Sequence, residues 1–399
     1  KPVVGVGRFT SPDMMVSLIK KGRMDLIGAA RPSIADPFLP KKIEEGRIED
    51  IRECIGCNIC VTGDFTVTPI RCTQNPTMGE EWRKGWHPER IPQKTSDASV
   101  LIVGAGPAGL EAARALGQRG YVVTLAEAGD ELGGRVVRES KLPGLGEWIR
   151  VRDHRQWRLD QMGAVDVFLE SRLAADQILE FGMEHVAIAT GAHWRKDGVG
   201  RALFHAVAGL DALPIFTPDD LMAGRLPEGG PVLVYDDDHF YMGGLMAEML
   251  DDAGLDVVFA TPAADVSSFT HNTMEQHRIQ RGLIERGVDI RAHRTVAGLE
   301  AGGARLACTY TGREEGVEAA AVVMVTARLP DLDLHSALTA DAAALEEAGI
   351  RSVTRLGDCL APGTIAAAIY SGHRYAREFD APVSGGIGFR RELPRLADA

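Results

Sequence analysis

The chain has 399 residues, 45% of them apolar and 25% charged, with a formal net charge of -12 at pH 7. These proportions exclude a disordered chain, a collagen-like one and a small disulfide scaffold, and the length suits two or three domains of roughly 150 residues each. No apolar run approaches the roughly 20 residues of a spanning helix, and no basic block marks a nucleic-acid or anionic-membrane partner.

The chain opens at Lys1 with no initiator Met and no signal peptide, and within four residues it reads as a buried strand. The expectation is the back part of a longer, cytoplasmic protein. Residues 1–53 hold two strand–helix units: a strand over Val3–Gly7 with a helix over Met14–Lys21, then a strand over Met24–Gly28 with a helix over Pro37–Glu45. Two such units cannot cover a parallel sheet, which is buried on both faces. The last two units of a (β/α)8 barrel are the natural reading.

Residues 54–90 follow as a cysteine- and turn-rich module. Cys54, Cys57 and Cys60 form a C-x2-C-x2-C run, and Cys72 supplies a fourth thiol. Clustered cysteines without a secretory signal read as ligands before disulfides. A [4Fe–4S] cluster takes one thiolate per iron, and three in one tight run fit it better than zinc, which usually takes two separated knuckles. Zinc and unliganded thiols stay as alternatives. Cys308 and Cys359 stand alone and read as small buried hydrophobes.

A linker over 91–98 leads to a strand at Val100–Val103, the turn Gly104-Ala-Gly106-Pro107-Ala108-Gly109 and a helix to Arg119. Glycines there permit a tight turn, close pyrophosphate approach and helix–strand packing, and the helix N-terminus favours the phosphates. Glu127, ending the strand from Val122, is placed to accept from ribose hydroxyls. Gly134 and Arg135, Thr190 and Gly191 after the strand at 185–189, and Gly357 and Asp358 follow in the order of the flavin-type version of this fold. Their alternative is ordinary turn chemistry.

A second strand–turn–helix–strand unit spans Val232–Tyr235, Gly244–Ala253 and Asp256–Ala260, inserted as residues 213–321 between the segments 99–212 and 322–399 of the first nucleotide domain. Late strands at Val322–Thr326 and Ile350–Leu356 are expected to return to the first sheet. The inserted unit's turn carries Asp236, Asp237 and Asp238 where glycines belong. A like-charge pair at 4 Å costs about 4 kcal/mol at an effective dielectric near 20, so pyrophosphate is unwelcome and this half reads as a degenerate NAD(P) domain. The alternative has the aspartates facing solvent.

With these pieces in order, the chain resembles the trimethylamine dehydrogenase family, within the old-yellow-enzyme-like flavin and iron–sulfur proteins, including dimethylglycine and N-methylproline demethylases. The likeness rests on Gly5–Phe9, Ala30–Pro40, the cysteine run, Cys72–Asn75, Gly85–Pro88, the glycine turn, Leu142–Trp148, Ala189–Ala192 and Gly372–Arg374. It implies an α/β architecture of barrel end, cluster module and two Rossmann-like domains, one inserted in the other. It also implies FMN that takes two electrons from a small methylated amine, with water releasing formaldehyde. A 4Fe–4S cluster then passes single electrons to an electron-transferring flavoprotein. Gly7, Arg8, Ala30 and Arg31 match the FMN phosphate site, the alternative for the arginines being helix capping or a surface ion pair. The first nucleotide site holds FAD or ADP.

Where the family has a docking tyrosine this chain has Phe240, with Tyr241 adjacent. The catalytic side chains are expected before Lys1, and a homodimer or larger complex is expected. Two other functions compete: an NADPH-dependent 2,4-dienoyl-CoA or enoate reductase, which needs a working second glycine turn, and a non-catalytic electron-transfer subunit.

Overall fold

The computed structural model describes residues 1–381. Strands β1 (Val4–Val6) and β2 (Leu26–Gly28) pair in parallel, joined by helix α1 (Pro12–Lys20). The Ser11 hydroxyl accepts from the Met14 amide and Pro12 opens the first turn, so the helix start is fixed by its own capping chemistry. Two short helices follow, α2 (Ala30–Ala35) and α3 (Leu39–Glu44). Behind them Asp36 is wholly buried and accepts from Lys42 Nζ at 2.8 Å, the Phe38 amide at 3.0 Å and the Arg52 amide at 2.9 Å. This buried carboxylate ties the two short helices to Arg52, at the end of the barrel-type segment just before the cysteine module. Helix α4 (Ile59–Thr66) begins inside that module.

Strands β3 (Ser99–Val103), β4 (Val122–Ala126), β5 (Val165–Phe168) and β6 (His185–Ile188) belong to the first parallel sheet. Val100–Val103 are buried throughout, as a strand covered on both faces requires. Helix α5 (Pro107–Arg119) covers one face; Pro107 sits where its missing N–H is harmless, and Gly120 closes the helix at φ 89°. Helix α6 (Arg150–Asp160) packs beside it.

The chain leaves this sheet through β7 (Ala192–Trp194) and enters a second parallel sheet. Its members are β8 (Ile215–Phe216), β9 (Val232–Asp236), β10 (Val257–Ala260) and β11 (Asp289–Arg291), with helices α7 (Tyr241–Asp252) and α8 (Gln276–Glu285). An antiparallel ribbon of β12 (Arg294–Glu300), β13 (Gly303–Cys308) and β14 (Glu314–Glu318) follows. Strand β15 (Ala321–Val325) then inserts between β9 and β8, giving the order β11-β10-β9-β15-β8. The expectation that Val322–Thr326 returns to the first sheet is therefore corrected. A strand whose five residues are all buried suits the middle of any parallel sheet, and nothing in its side chains names which.

The return comes three residues later. Strand β16 (Arg328–Pro330) pairs antiparallel with β7, so departure and re-entry form one two-stranded ribbon. Strand β17 (Ser352–Arg355) joins the first sheet as expected, in the order β17-β6-β3-β4-β5. Helix α9 (Ile365–Glu378) crosses α5 closely. Residues 382–399, the end of the predicted 322–399 segment, lie outside the described residues. Among the described residues no helix is long and apolar enough to cross a membrane. Cys359 is wholly buried, whereas Cys308, expected to be buried, is half-buried at the end of β13.

At the α5–α9 crossing a Cβ on Gly372 would stand 2.1 Å from the Ala108 carbonyl oxygen, which is backbone and cannot swing aside. Gly372→Ala is expected to cost about 1–3 kcal/mol through overpacking, read as a lower urea midpoint. An unchanged midpoint would mean that the two helices separate freely.

Candidate functional site

The four clustered cysteines come together around one small pocket, which Arg31, Asn58 and Thr73 also line. All are free thiols. Burial pushes Cys57 up to about 11 and Cys72 up to about 12, and neighbouring cysteines add to both shifts. Thiols held neutral in this way become good ligands once a cationic centre removes the penalty. Among the described residues no three histidine, cysteine or carboxylate side chains approach closely enough to grip one metal ion. Tetrahedral zinc, with Zn–S about 2.3 Å, needs sulfurs about 3.8 Å apart. A cluster binds each iron through a single thiolate and asks for no such group on one ion.

Both arginines expected at an FMN phosphate are held against this module. Arg8 donates to the Cys54 carbonyl at 2.8 Å, and Arg31 donates to Asn58 Oδ1. Among the described residues neither has an ion-pair partner, so the alternative of a surface ion pair finds no support. Gly7 directly follows β1 and Ala30 opens α2 after β2, so all four residues sit at the carboxyl ends of the two strands. That is the end at which barrel ligands bind.

The glycine turn opens onto a cleft of about 420 Å³. Gly104, Gly106, Pro107, Ala108, Glu127, Gly134, Arg135, Thr190, Gly191 and Asp358 all line it. A Cβ on Gly106 would meet nothing within 4 Å, leaving the backbone open to a ligand, whereas one on Gly109 would stand 1.9 Å from Gly104 O. Gly109 thus serves helix–strand packing, as the turn requires. Gly357 is also beneath the cleft, where a Cβ would meet that of Ala108 at 2.6 Å. Glu127 is pre-set by two amides, Ala105 at 2.7 Å and Gly129 at 2.8 Å.

At the inner end of the cleft, Asp358 Oδ2 accepts from Arg135 at 2.7 Å and from Arg328 at 2.6 Å, while Oδ1 accepts from the Gly363 amide at 2.9 Å. Arg135 also reaches Glu139 at 2.6 Å. Neither Arg328 nor Glu139 is distinguishable in sequence from a surface charge. Their roles depend on segments about thirty and two hundred and twenty positions from Asp358, which only the fold brings together.

The second turn is filled by the protein itself. Asp236 and Asp237 are wholly buried, so the aspartates do not face solvent. The Asp236 carboxylate occupies the space where a Cβ of Gly243 would lie, and accepts from the His239 amide at 3.1 Å. Asp237 turns to the other side of the strand and accepts from the Ala202 amide at 2.8 Å. Burial, then the nearby Asp238, pushes Asp236 up to about 7.

Phe240 is half-buried and packs edge-on against Phe269. Tyr241 points inward: its hydroxyl donates to Glu139 Oε2 at 2.6 Å, and its ring meets Trp148 at 5.0 Å. A groove of about 460 Å³ runs past Cys57, Trp148, Phe240 and Tyr241. Trp148 was legible only as part of a motif, and Thr73, bonded to Cys57, carried no signal beyond adjacency to Cys72.

A two-stranded barrel-type end, a four-cysteine module and paired nucleotide-type sheets make up an architecture of the old-yellow-enzyme-like class. Residues 1–50 match the NADH:flavin oxidoreductase / NADH oxidase family, 102–159 an NAD(P)-binding Rossmann-like domain and 216–315 an OYE-like second alpha/beta domain. The chain is 41% identical, over 95% of its length and 55% of the relative's, to dimethylamine dehydrogenase of Hyphomicrobium sp. (strain x). It is similar to the structure of histamine dehydrogenase from Rhizobium sp. 4-9, with 54% identity, TM-score 0.96 and coverage of 100% of this chain and 61% of that one. The amine oxidase for 6-hydroxypseudooxynicotine from Pseudomonas geniculata N1 gives 49% identity and TM-score 0.92, covering 96% and 57%. Over nearly its whole length the chain is similar to these amine dehydrogenases and this amine oxidase, and it spans a little over half of their length.

The buried Asp236 generates a pH prediction. Its folded-state value lies above the ordinary carboxylate value, so the penalty is absent below about pH 4 and grows as pH rises to about 7. Asp236→Asn keeps the acceptor for His239 and is expected to raise stability at about pH 8 by as much as about 4 kcal/mol, the gain shrinking toward about pH 5. Denaturant midpoints at the two pH values check the sign; a variant that is less stable at both would refute it.

Proposed function

We propose that this chain is the electron-handling part of a flavin- and iron–sulfur-dependent amine dehydrogenase or N-demethylase. The observation that carries the reading is one juxtaposition: four half-buried thiols around one pocket, beside two arginines without carboxylate partners at the ends of parallel strands, in a chain whose second nucleotide turn is closed by its own Asp236 carboxylate. The relatives named for dimethylamine, histamine and 6-hydroxypseudooxynicotine support an amine as substrate. The methylated amine read from the sequence and a primary alkylamine are separate outcomes of the test below.

Cys54, Cys57, Cys60 and Cys72 hold a 4Fe–4S cluster, which accepts and releases one electron at a time. Arg8 and Arg31, with the backbone at Gly7 and Ala30, bind the FMN phosphate through guanidinium charge that no carboxylate neutralises. The cleft at Gly104–Gly109 takes ADP rather than FAD. Asp358 accepts three hydrogen bonds, from Arg135, Arg328 and the Gly363 amide, which leaves it little for a ribityl chain, while Glu127 accepts one amide on each oxygen and keeps a lone pair on each for the ribose of an adenosine. Arg135 and Arg138 supply positive charge along the same wall.

The electron acceptor is an electron-transferring flavoprotein that docks over the groove at Cys57, Trp148 and Phe240. Phe240 contributes an apolar contact there. Tyr241 supports it from below and leaves its hydroxyl on Glu139. An NADPH-dependent reductase is disfavoured, because the buried Asp236 carboxylate stands against Gly243 at the start of the helix, where a pyrophosphate would need to approach.

The test uses the protein isolated from its native source. Anaerobic addition of dimethylamine, trimethylamine, dimethylglycine, N-methylproline, histamine and NADPH is expected to bleach the flavin with one of the amines and not with NADPH. Bleaching by NADPH alone would overturn the assignment. Denaturation is expected to release ADP and no FAD, in near-stoichiometric amount, by chromatography. Iron and labile sulfide are expected at about four each per chain, and Cys72→Ser is expected to lose most of both. Stoichiometric zinc without sulfide would remove the cluster.

A further inference from the structure

Cys57, Cys60 and Cys72 each have backbone amides as hydrogen-bond donors, and Cys57 has a side-chain hydroxyl as well. Thr73 Oγ1 lies 3.1 Å from Cys57 Sγ, and it makes no other hydrogen bond among the described residues. As free groups, either atom can donate. Once Cys57 is a metal-bound thiolate its sulfur has no proton, so the hydroxyl must be the donor. Thr73 is 2% exposed, so water does not compete for that proton.

The donor is also held firmly. Gln74, the next residue, donates from Nε2 to the Glu53 carbonyl at 3.1 Å and to the Arg150 carbonyl at 3.2 Å. Its own Oε1 accepts from Arg155 at 3.0 Å. Asn75 donates to the Ile34 carbonyl at 3.0 Å. A side chain flanked by such clamps keeps one geometry through a redox cycle.

Cys57 is distinct among the four ligands. It alone lines the cysteine pocket, the groove past Trp148 and Phe240, and the small cavity between them. Its sulfur therefore lies on the side of the module that faces the groove.

We propose that Thr73 is a positioning residue whose hydroxyl donates to the Cys57 thiolate and raises the reduction potential of the cluster on its groove-facing side. The physical reason is charge. Reduction adds one negative charge to the cluster and its thiolates, and a donor aimed at a sulfur stabilises the more negative state more strongly. Hydrogen bonds to the sulfurs are among the determinants of cluster potential. The inference rests on the cluster assignment above, and iron and sulfide analysis separates its failure from the failure of that reading.

The experiment is EPR-monitored potentiometry on the anaerobically isolated holoprotein and its variants, each first assayed for iron and sulfide. Thr73→Val is nearly isosteric and removes the donor. It is expected to keep the cluster and shift the one-electron reduction equilibrium about tenfold toward the oxidised form, about 59 mV lower. Thr73→Ser restores the hydroxyl and is expected to return the potential to the wild-type value. A fully loaded Thr73→Val protein with an unchanged potential overturns the proposal. If Thr73→Val loads no cluster, Thr73→Ala is compared with Thr73→Ser. Equal potentials in that pair overturn it, and a lower potential in Ala supports it. If Val and Ala both fail to load while Ser loads, the hydroxyl is required at the sulfur, which supports it; failure of Ser overturns it.

Discussion

One buried carboxylate joins three parts of this molecule that lie far apart in the chain. Glu111 lies in the middle of α5, the helix that carries the glycine turn, and is 1% exposed. It accepts from Arg114 at 2.6 Å, from Arg155 on α6 at 2.8 Å and from His373 on α9 at 2.8 Å. Burial alone would raise its proton affinity, but the two arginines and His373 overcome this and hold it well below the ordinary carboxylate range. His373 is pushed down to about 4 by burial, so it is neutral, donating from Nδ1 to Glu111 and accepting at Nε2 from Arg377 at 3.1 Å. Arg155 completes the set by reaching out of the nucleotide domain to Gln74 of the cysteine module. Removing one member of such a buried network costs about 3–5 kcal/mol, because a charge is left without its partner. The cysteine loop, the nucleotide helix and the carboxyl-terminal helix are thus fixed by one shared centre.

The two nucleotide-type sheets show how one skeleton serves different ends. In both, a strand runs into a turn and then into a helix whose first amides are unpaired. In the first, glycine leaves the space above the turn open, and the cleft offers amides, Glu127 and arginines to a ligand. In the second, Asp236 brings a carboxylate of its own to the helix start, and His239 takes φ 64° to close the turn over it. A helix N-terminus favours an anion whether it belongs to a ligand or to the chain. The inserted domain keeps its fold because that demand is met internally.

Much of this was legible in the sequence wherever chemistry depends on neighbours in the chain. The cysteine spacing, the glycine turn with Glu127 and the missing second turn each depend on fewer than about twenty-five consecutive positions, and the structure brings their residues together as read. Failures fall where partners are remote. Val322–Thr326 went to the wrong sheet because five apolar residues specify burial and nothing more. The aspartates were read as hostile to pyrophosphate; only the fold shows that Asp236 sits buried in the turn while Asp237 bonds the Ala202 amide. Arg8 and Arg31 were read as phosphate forks. Their contacts with Cys54 and Asn58, residues about 46 and 27 positions away, depend on how the module folds back onto the strands.

That folding back has an electrostatic consequence for the whole site. Two guanidinium groups without carboxylate partners flank a pocket where four thiols gather. Arg8 is exposed and Arg31 half-buried, so water reaches both charges, while burial of the thiol groups raises the proton affinity of Cys57 and Cys72. A cluster with four thiolates is anionic and a flavin phosphate is anionic too, so the two guanidinium groups are complementary to both. Binding that takes place only in the folded state adds to its stability, so assembly with cofactors and stability are coupled. On the far side of the module Cys57 is backed by Thr73 and faces Trp148 and the groove. That groove sets an aromatic wall of Trp148, Phe240 and Tyr241 against a charged one that carries Arg278, Arg281, Arg286, Glu248 and Glu275. The strand side of the module therefore presents two guanidinium groups without carboxylate partners, and the groove side presents aromatic surface next to charges of both signs.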